Sequence, residues 1–215
     1  MRPGVRPAPE VDCALCPRLA ELRRANRAAF PGWHNAPVAS FGDRGARLLL
    51  VGLAPGLRGA NRTGRPFTGD HAGEILYRTL IDYGFARGDY RAAPDDGLEL
   101  IDCRITNAVR CVPPENRPTG AEINACRRFL SAELRAPPPR VVLPLGGIAH
   151  ASVIRALGLP LRHMPFRHGA IYRPAQAPIL VPCYHCSRYN LNTGRLTPAM
   201  FTALFGQVRA LVDCL

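Results

Sequence analysis

The segment Gly52-Leu53-Ala54-Pro55-Gly56 … Asn61-Arg62-Thr63-Gly64-Arg65-Pro66-Phe67-Thr68-Gly69-Asp70 lies between two patterns of different period. Before it runs Arg47-Leu48-Leu49-Leu50-Val51, an apolar stretch that reads as a buried parallel strand. After it, Ile75-Leu76-Tyr77 … Leu80-Ile81 carries helical spacing. A Gly-rich turn from strand to helix brings backbone N–H groups close to a ligand. This turn is too long and too decorated for a simple connector. Phe67, Asp70, Arg62 and Arg65 suit it to gripping a nucleobase beside a phosphate backbone.

The same alternation continues outward. Residues 48–51, 104–109, 141–145 and 179–181 read as buried strands, and 18–29, 75–83, 121–134, 148–157 and 201–211 as helices. Residues 87–97 and 136–140 are loops rich in Pro, Gly or Asp. Strands alternating with helices imply an α/β fold whose parallel sheet is covered on both faces. In such sheets ligands bind beyond the carboxyl ends of the strands. The groups that follow the four strands are the Gly52–Gly56 turn, Asn107, Gly146-Gly147 and His185, so all are expected at one edge.

The chain of 215 residues suits one domain, 1–215, with residues 1–10 a Pro-rich flexible tail. The formal net charge of +12 favours an anionic partner. All 28 positive side chains are arginine. Schiff-base chemistry normally uses a lysine amine, so no side chain supplies an imine-forming group. No stretch is apolar for the length of a membrane span, and the N-terminus does not read as a signal peptide. A cytoplasmic protein is expected, its eight cysteines thiols or metal ligands rather than disulfides.

Cys13 and Cys16 form a C-x-x-C pair, and Cys111 and Cys126 flank a turn-rich loop. Two such pairs can join one tetrahedral thiolate site, for zinc or an iron–sulfur cluster, and spacing does not choose between them. Cys103 and Cys214 read as small buried hydrophobes. Cys183 and Cys186 form a second C-x-x-C against His185, with a separate metal site only a minor reading of the pair.

The runs GLAPGLRGANRTGRPFTGD, CRITNAVRCVPPENRPT and HCSRYNLNTGRLT, in this order, resemble the family-5 (type B) uracil-DNA glycosylases. The related family-4 enzymes carry an acidic residue in the G-x-A-P-G turn, where this chain has Leu53. The resemblance runs from Cys13 to about Thr197 and implies a three-layer α/β/α sandwich around a mostly parallel four-stranded sheet. It also implies a 4Fe–4S cluster rather than zinc, held by Cys13, Cys16, Cys111 and Cys126. The implied activity is hydrolysis of the N-glycosidic bond of uracil, and of bases such as hypoxanthine and xanthine, in base excision repair. Double-stranded DNA is the implied partner, with single-stranded DNA a second form, and the protein a monomer.

Cleaving that bond leaves positive charge on the sugar and negative charge on the base, and the base must leave the stack. Asp70, the carboxylate of the turn, can stabilise the sugar and hold water, besides capping the following helix. His185 can donate to the departing base. Cys186 follows it where the family has a small or apolar residue or Pro. Asn107 can read the polar edge of a flipped base, and Phe67 can stack on its face. Gly52, Leu53, Ala54 and Gly56 line the pocket, and Asn61 bonds base or loop. Ser187, Arg188 and Tyr189 follow the histidine; Arg188 or Tyr189 is the candidate wedge into the duplex. Arg62, Arg65 and Arg195 are candidate phosphate contacts. The competing readings are a non-catalytic iron–sulfur DNA-binding protein, a strictly uracil-specific enzyme of the family-4 kind, and a zinc-bound nucleotide-binding protein.

Overall fold

The structure, a computed structural model, describes residues 8–135 and 137–214. The first seven residues of the expected tail lie outside the described residues. Helix α1 (Pro17–Ala29) precedes strands β1 (Phe41–Gly42) and β2 (Leu48–Gly52), then helices α2 (Ala60–Thr63) and α3 (His71–Asp82). The hairpin β3 (Ala86–Arg87) and β4 (Glu99–Leu100) leads to β5 (Cys103–Asn107) and α4 (Gly120–Arg135). The remainder is β6 (Val141–Pro144), α5 (Gly147–Leu157), β7 (Ile179–Leu180), α6 (Arg188–Asn192) and α7 (Pro198–Asp213).

The main sheet has the order β1-β5-β2-β6-β7. The four expected strands run parallel, and β1 adds an antiparallel edge beside β5, making five rather than four. Two residues are too few to carry a period-2 signal, which is why β1 and the β3–β4 hairpin escape the sequence pattern.

The unbroken apolar run of β2 is explained by packing on both sides. Leu48 and Leu50 join Leu76 and Leu80 of α3 and Phe201, Phe205 and Val208 of α7 in one core. Leu49 and Val51 point the other way, to Leu130 and Leu134 of α4 and Val153 and Ile154 of α5. Successive side chains on a strand face opposite layers, so a sheet buried twice requires apolar residues throughout. A third cluster seats Leu19 of α1 on Val109, Cys126 and Phe129.

Register sets the functional edge. Gly52 pairs with Asn107 at the last rung between β2 and β5. Leu145, just past β6, bridges in parallel to Cys183, two residues before His185. Four carboxyl ends therefore stop at one level, as the strand pattern predicts.

Candidate active site

A cavity of about 670 Å³ opens at this edge. Leu53, Ala54, Gly56, Phe67, Asp70, Asn107, His185, Ser187 and Arg188 line it. Gly52 does not line it but shapes its floor. A Cβ at Gly52 would overlap the Asn107 amide oxygen and stand 2.8 Å from the Phe67 ring. The missing side chain lets that ring and that amide close over the end of β2.

Asp70 has two duties on two oxygens. It is the N-cap of α3, and its Oδ1 accepts from the Gly73 N–H at 3.0 Å. Its Oδ2 faces the turn, where a Cβ would stand 3.6 Å away at Gly56 and 2.7 Å away at Gly59. One oxygen is thus fixed by the helix while the other looks into the cavity. Capping and chemistry coexist here.

The His185 ring stacks with Phe67 at 5.9 Å between centroids and 27° between planes. Burial holds the His185 pKa below the ordinary histidine value, with the Asp70 charge pulling the other way. The ring is therefore neutral at pH 7 and carries one N–H to donate. Phe67 itself sits at φ +52°, a left-handed conformation uncommon for an aromatic residue.

Asn61, Arg65 and Arg195 have partners within the fold. Asn61 does not line the cavity: it is buried, and its Nδ2 donates to Asn35 Oδ1 at 2.9 Å, tying α2 to the loop after α1. Arg65 is not a phosphate contact. The residue is 5% exposed, and its guanidinium makes two 2.7 Å bonds to Asp96. Arg195 is exposed but lies over the Tyr184 ring, 5.4 Å from its centroid. Arg62 and Arg188 are exposed, and Tyr189 at 71% is the most open of the large hydrophobic side chains among the described residues. Ser187 caps α6 by accepting from the Asn190 N–H. Sequence reasoning missed Arg58, His71 and Asn116, which also line the cavity. Arg58 lies within the turn after β2 but carries no signal that sets it apart from the other arginines there, while His71 on α3 and Asn116 in the loop after Cys111 lie beyond the strand ends.

Cys13, Cys16, Cys111 and Cys126 surround one small space beside Leu19, Val109 and Phe129. Arg23 Nη1 lies 3.6 Å from Cys111 Sγ, and the Arg110 N–H lies 3.4 Å from Cys126 Sγ. Burial pushes the Cys16 thiol up to about 11 and Cys111 up to about 12, with neighbouring cysteines adding to both. Among the described residues no three His, Cys, Asp or Glu groups stand at metal-binding spacing. The donor chemistry nonetheless suits a metal centre held by thiolates: four sulfurs surround one space, and two N–H donors with the buried Arg23 guanidinium offset the negative charge that ligating thiolates carry. Cys183 and Cys186 behave as core thiols, donating to the Tyr184 and Ala72 carbonyls. Cys103 is buried as expected, whereas Cys214 is exposed at the end of α7.

Residues 39–209 match the family described as the Uracil DNA glycosylase superfamily. A type-5 uracil-DNA glycosylase of Thermus thermophilus is 44% identical over 205 residues, covering 93% of each chain. One from Pyrobaculum aerophilum is 39% identical over 209 residues, covering 95% of this chain and 91% of the relative. A type-4 uracil-DNA glycosylase from the same archaeon is 31% identical over 148 residues, covering 68% of this chain and 62% of the relative.

Proposed function

The chain belongs to the uracil-DNA glycosylase superfamily, and on that premise we propose that it hydrolyses the N-glycosidic bond of uracil in DNA for base excision repair. The observation that carries this reading is the convergence of Asp70, Phe67, Asn107 and His185 on one cavity at the sheet edge. A flipped base stacks on Phe67 and meets the Asn107 amide. As the bond stretches, neutral His185 donates to the oxygen of the departing base. Asp70 Oδ2 stabilises the cationic sugar and holds the attacking water on the side of Gly56 and Gly59. With no lysine in the chain, the abasic product is released without a strand cut that runs through a lysine imine.

The substrate range extends to hypoxanthine and xanthine, because Leu53 presents an apolar side chain where a polar one would discriminate among bases. The partner is double-stranded DNA, with single-stranded DNA a second substrate form, bound by a monomer in the cytoplasm. Exposed Arg62 and Arg188 contact phosphates, and Arg188 or Tyr189 fills the gap left by the flipped base. No helix among the described residues is long and apolar enough to cross a membrane.

Cys13, Cys16, Cys111 and Cys126 would hold a 4Fe–4S cluster. When bound it supplies a structural cross-link, pinning the segment before α1 to the loop and helix around Cys111 and Cys126. Arg18 reinforces the same junction with paired 2.8 Å bonds to Glu122. Brown colour with iron and sulfide in equal amounts supports the cluster, and a colourless zinc protein overturns it.

The test of activity is a panel of duplexes containing uracil, hypoxanthine or xanthine. Free base and an intact abasic strand are expected. No release from any of the three overturns the reading in favour of a non-catalytic DNA-binding protein. Release from uracil alone overturns the broad range only.

A further inference from the structure

The Phe67–Asp70 turn is held by groups that never reach the cavity. The Tyr90 hydroxyl donates to the Phe67 carbonyl and accepts from the Gly69 N–H, both at 3.3 Å, so it bridges the residues on either side of Thr68. Gly73 meets the same point: a Cβ there would overlap the Phe67 carbonyl oxygen and stand 2.7 Å from the Tyr90 hydroxyl. Tyr90 is itself placed by a buried cage. Its ring stacks on Tyr77 at 4.7 Å, and the Arg65 guanidinium lies among the rings of Phe41, Tyr77 and Tyr90 at 5.2–5.8 Å. Asp96, whose side chain is fully buried, fixes that guanidinium. Asp96 also accepts from the Arg91 and Leu98 N–H groups, which ties down the loop that carries Tyr90. Arg65 Nε then donates to Thr68 Oγ1 at 2.8 Å, closing the circuit back onto the turn.

We infer that Tyr90 is a positioning residue for base release: its hydroxyl fixes the strained Phe67 backbone, and thereby the separation of stacking ring and carboxylate across the cavity. The inference rests on the glycosylase reading. A left-handed phenylalanine persists only where its surroundings over-determine it. The Tyr90 hydroxyl is the group that ties the Phe67 carbonyl to the Gly69 N–H. Small displacements of reacting groups are costly in rate even when binding survives.

The test is Tyr90→Phe, which keeps the ring in the cage and removes only the hydroxyl. Tyr77→Phe is the companion, because the Tyr77 hydroxyl donates at 2.6 Å to Pro66, on one side of Phe67 only. On a uracil duplex kcat of Tyr90→Phe should fall roughly tenfold, with KM within about twofold and the melting temperature near that of the parent. Tyr77→Phe should lower the melting temperature with a smaller change in kcat. Unchanged kcat in Tyr90→Phe overturns the inference while the active parent upholds the glycosylase reading. Rate losses that merely track melting temperature in both variants also overturn it. A parent that releases no base overturns the glycosylase reading, and the inference with it.

Discussion

At position 70 two requirements meet in one side chain, because Oδ1 caps α3 while Oδ2 faces the cavity. Asparagine is as good an N-cap as aspartate but carries no charge. Asp70→Asn should therefore keep the melting temperature and DNA binding of the parent while base release falls about 100-fold or more. Release assays, a thermal melt and a binding titration on one preparation check all three. His185→Ala should also reduce release about 100-fold, since it removes a donor aimed at developing charge.

Among elements, the long patterns were legible and the short ones were not. The strands and helices around the site follow from runs that bury one face or two, and the strand-end rule then collects Asp70's turn, Asn107 and His185 from distant sequence. Arg65 was misplaced because an arginine in a Gly-rich turn has the same signature whether it meets phosphate or a buried carboxylate. Its partner Asp96 lies 31 residues away in a loop with no period of its own. Asn61 was ambiguous for the same reason, its partner Asn35 being 26 residues distant. The distinction is measurable. Arg65→Met leaves the buried Asp96 carboxylate without its ion-pair partner, and should cost about 3–5 kcal/mol in a denaturant melt. It should leave the salt dependence of DNA binding unchanged. Arg188→Ala, on the exposed start of α6, should do the reverse: an unchanged melt and a salt slope shallower by about one.

For the whole molecule, burial lowers the pKa of His150, His168 and His185, so the fold holds three histidines neutral. The unfolded chain takes up those protons more readily, near the ordinary value of about 6.5. Their stabilising contribution is therefore present above that pH and is lost as pH falls through the lowered folded values. The melting temperature should decline between pH 7 and pH 5, with a shallower decline in His150→Gln; a flat profile would contradict this. Abundance in a living cell is likewise a property of the entire fold, since marginal chains are cleared by proteases. The shared duty of Asp70 then shapes how drift at this position would be seen by selection. Asn, Ser, Thr and Gly keep the helix start and should accumulate as plentiful, silent protein, while replacements that lose the cap, at about 0.5–2 kcal/mol, should fall several-fold in abundance along with their activity. A population carrying the first class would look healthy by every measure of protein level and still leave its damaged bases in place.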